Sequence, residues 1–254
     1  MKRLAIMLAA AMLSRAALAA DTPRDLYVAG KFQQAIAAGV AENKAAGFAI
    51  AARAELAEEM LRAQPCLDCL KRAENYARQA IAADGKNTDG HIYLAATRGY
   101  EARIVGVVTA KMDGYAEEAR RHLDTALATD PDNAWALAAL GGWNIEIVRN
   151  GGAMLGKIMY GASVDAGLAD FAKAFKVQPG NLALRYQYAL TLSGYDLDAY
   201  RPRIEDALKR ASSGDVGSAY DKAIKARAAS LLNLLEKNDI ALYATTVRQY
   251  QGYP

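Results

Sequence analysis

GYAEEARRHLDTALATDPDN, the stretch from Gly114 to Asn133, decides the fold. Ala119, Leu123 and Ala126 follow one another at steps of four and three, which sets them on one face of a helix, and Pro131 ends that helix five residues on. The same steps recur at Ala73, Ala77, Ala80 and Gly85, and again at Gly167, Phe171, Ala174 and Pro179. Small residues on such a face let a neighbouring helix approach closely. Each segment ends in a polar turn closing on Asn87, Asn133 or Asn181, and a second apolar-periodic segment follows. An arrangement repeated three times in this way predicts an all-α array of stacked helical hairpins. Alanine and leucine dominate, which favours helix, and the six prolines are expected at helix ends, with none inside a helix.

This pattern resembles the tetratricopeptide repeat. The match is fullest from Gly114 to Asn133 and on through Leu137, Leu140 and Gly141, with a half-match at Tyr27, Gly30, Phe32, Ala35 and Ile36. The intervals depart from the usual period of about 34 residues: Gly85 to Pro131 spans 46 and Pro131 to Pro179 spans 48, so each unit carries an insertion. The run from Leu140-Gly141-Gly142-Trp143 through Gly152-Ala153-Met154-Leu155-Gly156 to Phe171 is similar to a divergent branch that includes the regulators of microtubule dynamics and bacterial envelope-transport proteins. The resemblance covers roughly residues 25 to 212. It implies a right-handed α-solenoid of about ten to twelve helices with inserted helices, serving to hold a partner or ligand.

Residues 1–20 read as a secretory signal: Lys2 and Arg3, an apolar run from Leu4 to Leu13, and small residues leading to cleavage after Ala19 or Ala20. The mature chain, residues 21–254, is then expected to be one periplasmic domain. Its Lys+Arg count falls from 31 to 28 and equals its 28 Asp+Glu, so net charge encodes no attraction to nucleic acid.

In the tetratricopeptide family the first helix of each pair lines the concave face. The resemblance therefore places Ile92, Ala96, Tyr100, Trp135, Ala138, Gly142, Ile145, Tyr186 and Leu190 on the partner-binding groove. These residues are mostly small, apolar or aromatic, unlike the Lys, Arg and Asn clamp that a peptide carboxylate requires. They read either as packed core or as an apolar groove for a lipid-like ligand or an amphipathic helix. In the insertion, Gly151, Gly152, Gly156 and Gly161 alternate with Met154, Leu155, Ile158, Met159 and Tyr160. That segment reads as a tightly packed connector or as a flexible apolar lip over the groove.

Other motifs carry little. Gly151 to Lys157 imitates the start of a phosphate loop, but Ile158 stands where a hydroxyl must reach magnesium, and no strand precedes it. Cys66 and Cys69 read as a local disulfide in an oxidising compartment. His91 and His122 lack metal-ligand spacing and read as surface or satisfied core residues, so no metal or cofactor is expected. Glu58 with Glu59 and Glu117 with Glu118 read as solvated helix faces, and Ser163 and Ser193 have no identifiable base. No catalytic constellation emerges. Residues 218–237 and 239–250 read as two helices capping the last repeat, with Leu234, Tyr243, Tyr250 and Tyr253 available for self-association. Two functions follow: first, an adaptor binding a protein partner in the cell envelope, peripheral to a membrane complex; second, a carrier for a hydrophobic, sterol- or lipid-like small molecule.

Overall fold

Thirteen helices and no strand make up residues 21–254, the part of the chain that the computed structural model describes. The expected secretory segment, residues 1–20, lies outside the described residues. In chain order the helices are α1 (Pro23–Val28), α2 (Phe32–Glu42), α3 (Ala45–Leu61), α4 (Leu67–Ala83), α5 (Thr88–Val105), α6 (Val107–Met112), α7 (Tyr115–Thr129), α8 (Ala134–Tyr160), α9 (Val164–Val177), α10 (Leu182–Tyr195), α11 (Leu197–Ser213), α12 (Ala219–Glu236) and α13 (Ile240–Tyr250). Helices α3 and α4, α5 and α7, α8 and α9, and α10 and α11 pack as antiparallel hairpins in series.

The repeating residues do what their spacing demands. Ala73, Ala77 and Ala80 of α4, Ala119, Leu123 and Ala126 of α7, and Phe171 and Ala174 of α9 are all buried between helices. The three asparagines that close the turns are N-caps. Asn87 Oδ1 accepts from Gly90 N at 2.7 Å, Asn133 Oδ1 from Ala136 N at 3.0 Å, and Asn181 Oδ1 from Leu184 N at 3.1 Å, each satisfying an otherwise orphaned amide of α5, α8 or α10. A close crossing joins α8 and α9: a Cβ on Gly167 would lie 2.7 Å from the carbonyl oxygen of Gly141 and 2.7 Å from Ile145 Cγ1.

The insertions are short helices released by one backbone device used twice. Gly106 (φ +86, ψ 158) separates α5 from α6, and Gly152 (φ +79, ψ 160) breaks α8 before its last turns. Both angles fall where only glycine sits without strain. Pro202 corrects the proline expectation, since it lies inside α11, one turn beyond its start. Proline's fixed φ suits a helix, and this one gives up a single bond to the Asp198 carbonyl while the flanking turns continue.

The array closes on itself. Arg227 of α12 donates to the carbonyls of Met60 (2.6 Å) and Leu61 (2.9 Å), placing a cation at the C-terminus of α3. Ala219, at the start of α12, packs against Gly30, where a Cβ would lie 2.6 Å from its own. The C-terminal helices thus cap the last repeat and also reach the first hairpins. The residues assigned to self-association are largely spent inside this closure: Tyr243 is buried with its hydroxyl 2.6 Å from Ser193 Oγ, and the Tyr253 hydroxyl donates to Glu146 Oε1 at 2.7 Å.

Two polar clusters lie in this frame. Arg98 of α5 meets three carboxylates, Glu118 at 2.6 Å, Glu101 at 2.7 Å and Glu74 at 2.8 Å, and Arg78 shares Glu74 and Glu118. Glu59 is buried and accepts from Cys66 N at 2.6 Å. Glu59 and Glu118 therefore correct the reading of those pairs as solvated faces: each lies where a neighbouring helix packs over it, and an internal donor replaces water. His91 and His122 meet at 2.7 Å between their Nδ1 atoms. The Gly85 carbonyl can only accept, so His91 Nε2 donates to it at 3.1 Å and His122 Nδ1–H donates to the bare His91 Nδ1. Burial, and then the adjacent His91, push the His122 pKa down to about 4. The unfolded chain therefore binds this proton more readily than the folded one, and stability present above pH about 6.5 declines as pH falls toward about 4, by on the order of 1–2 kcal/mol. Urea denaturation at neutral and mildly acid pH is expected to show that loss in the natural protein and a flatter pH dependence in His122→Asn.

Candidate functional site

Helices α3, α5, α8 and α10, the first of each hairpin, turn one face inward and surround a cavity of about 620 Å³, a size suited to a whole small molecule. Leu56 and Ala57 of α3, Ala95 of α5, Ala139 of α8 and Leu184 of α10 give it a largely apolar wall, and Tyr220 of α12 closes one side. Helix α12 bridges back to α3 and walls the space on that side.

Of the groove residues expected from sequence, Ile92, Ala96 and Tyr100 of α5 and Trp135, Ala138 and Gly142 of α8 line this cavity. Ile145, Tyr186 and Leu190 do not, and each is correctly described as core. Ile145 is turned into the α8–α9 crossing by its contact with Gly167, so the next residues, Glu146 and Ile147, face the cavity instead. On α10 the lining face is Leu184, Gln187 and Thr191, one position away from the expected stripe. The cavity is not filled by insertions. At Gly142 an added Cβ would find its nearest neighbour, Thr191 Oγ1, 3.9 Å away, so the glycine leaves free volume in the wall.

The insertion is not a tightly packed connector. Beyond the break at Gly152 it is helical; Leu155, Met159 and Tyr160 line the cavity, while Met154 and Ile158 are 72% and 74% exposed. Among its glycines only Gly156 meets neighbours, at 3.4 Å or more, which is ordinary contact. Sequence reading overlooked the matching element α6, which follows Gly106 and presents Val107 to the cavity. The signal was available: a glycine followed by apolar residues stands at the same place in both repeats.

One end of the cavity is polar. Arg103 and Glu146 face it from α5 and α8, 3.6 Å apart, and Tyr253 reaches in from the C-terminus. Arg149 donates to Glu146 Oε2 at 3.5 Å and to the Tyr253 hydroxyl at 3.1 Å. Burial alone would raise the Glu146 carboxyl; Arg103 and Arg149, with the hydroxyl of Tyr253, outweigh it and hold the group below the usual carboxylate range. Arg103 donates one NH to the Gln251 carbonyl at 2.7 Å, stacks over Tyr100, and leaves its buried Nε–H without a partner. Two guanidiniums face one carboxylate here, leaving a net positive end. The C-terminal tail is held by Gln251, whose side chain donates to the Leu190 carbonyl at 2.8 Å. The long separations in this set, with Arg103 and Gln251 joined across the chain, explain why sequence reading missed it.

The remaining sequence candidates have structural partners. Cys66 and Cys69 are joined as a disulfide at the start of α4, so of that cluster Glu59 alone offers a metal a ligand atom not bound up in the disulfide. Ser163 Oγ caps α9 by accepting from Ala166 N at 3.1 Å. Gly151 to Lys157 is helical on both sides of its break and lacks the strand-loop-helix geometry of a phosphate loop. Among the described residues no helix is long and apolar enough to cross a membrane.

The sequence model of the family described as regulator of microtubule dynamics protein 1-3 matches residues 48–236, from α3 to the end of α12. The match thus spans every hairpin that walls the cavity. No curated protein sequence matches the chain.

Proposed function

We propose that this chain, which belongs to the regulator of microtubule dynamics family, is a non-catalytic helical binding protein whose cavity holds one hydrophobic, lipid-like molecule with a polar or anionic end. The observation that carries this reading is the walled cavity of about 620 Å³, apolar along α3, α5, α8 and α10 and positive at Arg103. Peptide-binding adaptors need paired polar groups along their groove, whereas a largely apolar cavity rewards burial of hydrocarbon, at about 0.8 kcal/mol per methylene. The Arg103 guanidinium would give the ligand's polar end a positive partner, and the apolar wall would exclude water from its tail.

Binding of a fluorescent lipophilic probe tests this. Gly142→Trp places an indole in the free volume beside Thr191 and is expected to weaken probe binding at least about tenfold with the helical content unchanged. A protein that binds no probe, or a Gly142→Trp variant that binds it as well as the natural chain, contradicts the reading and returns the adaptor function to first place.

We also propose that the protein works in the bacterial envelope after export. The support is the character of residues 1–20 together with the Cys66–Cys69 disulfide, which suits an oxidising compartment. N-terminal sequencing of the protein from its own cells is expected to begin at Ala20 or Asp21; a retained Met1 contradicts export with cleavage.

A further inference from the structure

We propose that the two inserted helices, α6 and the last turns of α8, form a paired docking surface for an anionic lipid bilayer at the opening of the cavity. Among the described residues twelve large hydrophobic side chains are exposed, and seven of them lie on these two short segments: Val107, Val108 and Met112 on one, Met154, Leu155, Ile158 and Met159 on the other. The outermost are Val108 at 75%, Met112 at 82%, Met154 at 72% and Ile158 at 74% exposed. Such concentration of apolar side chains on a protein surface marks an interaction site.

The occupant follows from three observations. Val107, Leu155 and Met159 both line the cavity and reach solvent, so the two segments stand at its opening. The surface is therefore continuous with a space that suits hydrocarbon, and a lipid-like molecule leaving a bilayer there would avoid water. Each segment also carries one lysine, Lys111 or Lys157, and no acid occurs from Gly106 to Met112 or from Gly151 to Gly161. The nearest acids in sequence are Asp113, in the turn directly after α6, and Asp165, in the first turn of α9 beyond the second segment. Lysines interleaved with Met, Val, Ile and Leu match a headgroup region with acyl chains beneath it. Finally, both segments leave their parent helices at glycines of the same φ and ψ, so the fold presents two apolar tips from equivalent places in successive repeats. This inference rests on the cavity-binding reading for its purpose, but its surface can be tested separately.

The protein as isolated from its own cells is mixed with phosphatidylcholine vesicles, with and without phosphatidylglycerol, and floated on a density gradient. It is expected to float with the anionic vesicles, less so at high salt. Met112→Glu combined with Ile158→Glu is expected to lower flotation at least about tenfold without changing the thermal midpoint, since both side chains point into solvent. Lys111→Gln with Lys157→Gln is expected to erase the preference for anionic over neutral vesicles. Gly142→Trp separates the two readings: it is expected to float like the natural protein while binding the lipophilic probe at least about tenfold more weakly. Failure of the natural protein to float, or equal flotation of the Met112→Glu, Ile158→Glu variant, overturns the proposal. So does a dimer in sedimentation velocity that this variant converts to monomer with no vesicle binding in either form, which would make the surface a contact between copies.

Discussion

Gly167→Leu is expected to lower stability by about 3 kcal/mol or more, read as a fall of roughly 10 °C in thermal midpoint. The reason is the identity of the neighbours. A Cβ at this position lies 2.7 Å from the Gly141 carbonyl oxygen and 2.7 Å from Ile145 Cγ1, and a backbone oxygen inside a helix cannot step aside without separating α8 from α9. That crossing also fixes which face of α8 meets the cavity, so the variant is expected to lose probe binding together with stability. Gly180→Ala is the matched control, because nothing lies within 4 Å of its Cβ and its φ is not left-handed; its midpoint is expected to stay within the effect of about 0.5 kcal/mol typical of surface changes. Equal behaviour of the two variants would contradict the close-crossing account.

Arg98→Met is expected to cost about 3–5 kcal/mol near neutral pH. Arg98 is the hub of three carboxylates, and Arg78 can still serve Glu74 and Glu118 after its removal. Glu101, with a side chain only 1% exposed, would keep no cation at all. Burial already raises the Glu101 pKa above the usual carboxylate value with Arg98 present, and loss of Arg98 raises it further. A carboxylate whose folded pKa lies above its unfolded one destabilises the fold fully above the folded value, and that cost shrinks as pH falls from the folded value to the unfolded one. The gap between variant and natural protein is therefore expected to be widest near pH 7 and to narrow toward about pH 5. Denaturant midpoints across that range check it. A gap independent of pH would show that Arg98 acts by packing alone.

The legible part of this fold was local. Steps of four, three and five residues placed Ala119, Leu123, Ala126 and Pro131 correctly because helix periodicity and proline chemistry act within a few residues. The same logic named Asn87, Asn133 and Asn181 as turn residues, though their role as caps needed the backbone. The cavity wall was legible on α5, where Ile92, Ala96 and Tyr100 follow one stripe. On α8 and α10 it slipped, because Ile145 and Tyr186 are apolar and period alone cannot say which of two apolar faces meets a neighbouring helix. What stayed invisible is long-range. The pairing of His91 with His122, the meeting of Arg103 with Gln251, and the contact of Arg227 with Met60 and Leu61 depend on where the array curves back. Pro202 was misplaced for a smaller reason: a proline one turn into a helix costs a single hydrogen bond, which tertiary packing can offset.

Native mass spectrometry of the protein taken directly from its own cells, followed by denaturing extraction, tests the central claim most directly. The account predicts a mass above that of the polypeptide by one near-stoichiometric hydrophobic molecule, released on unfolding and absent from Gly142→Trp. A bare polypeptide mass, with a protein partner retained through purification, would contradict it.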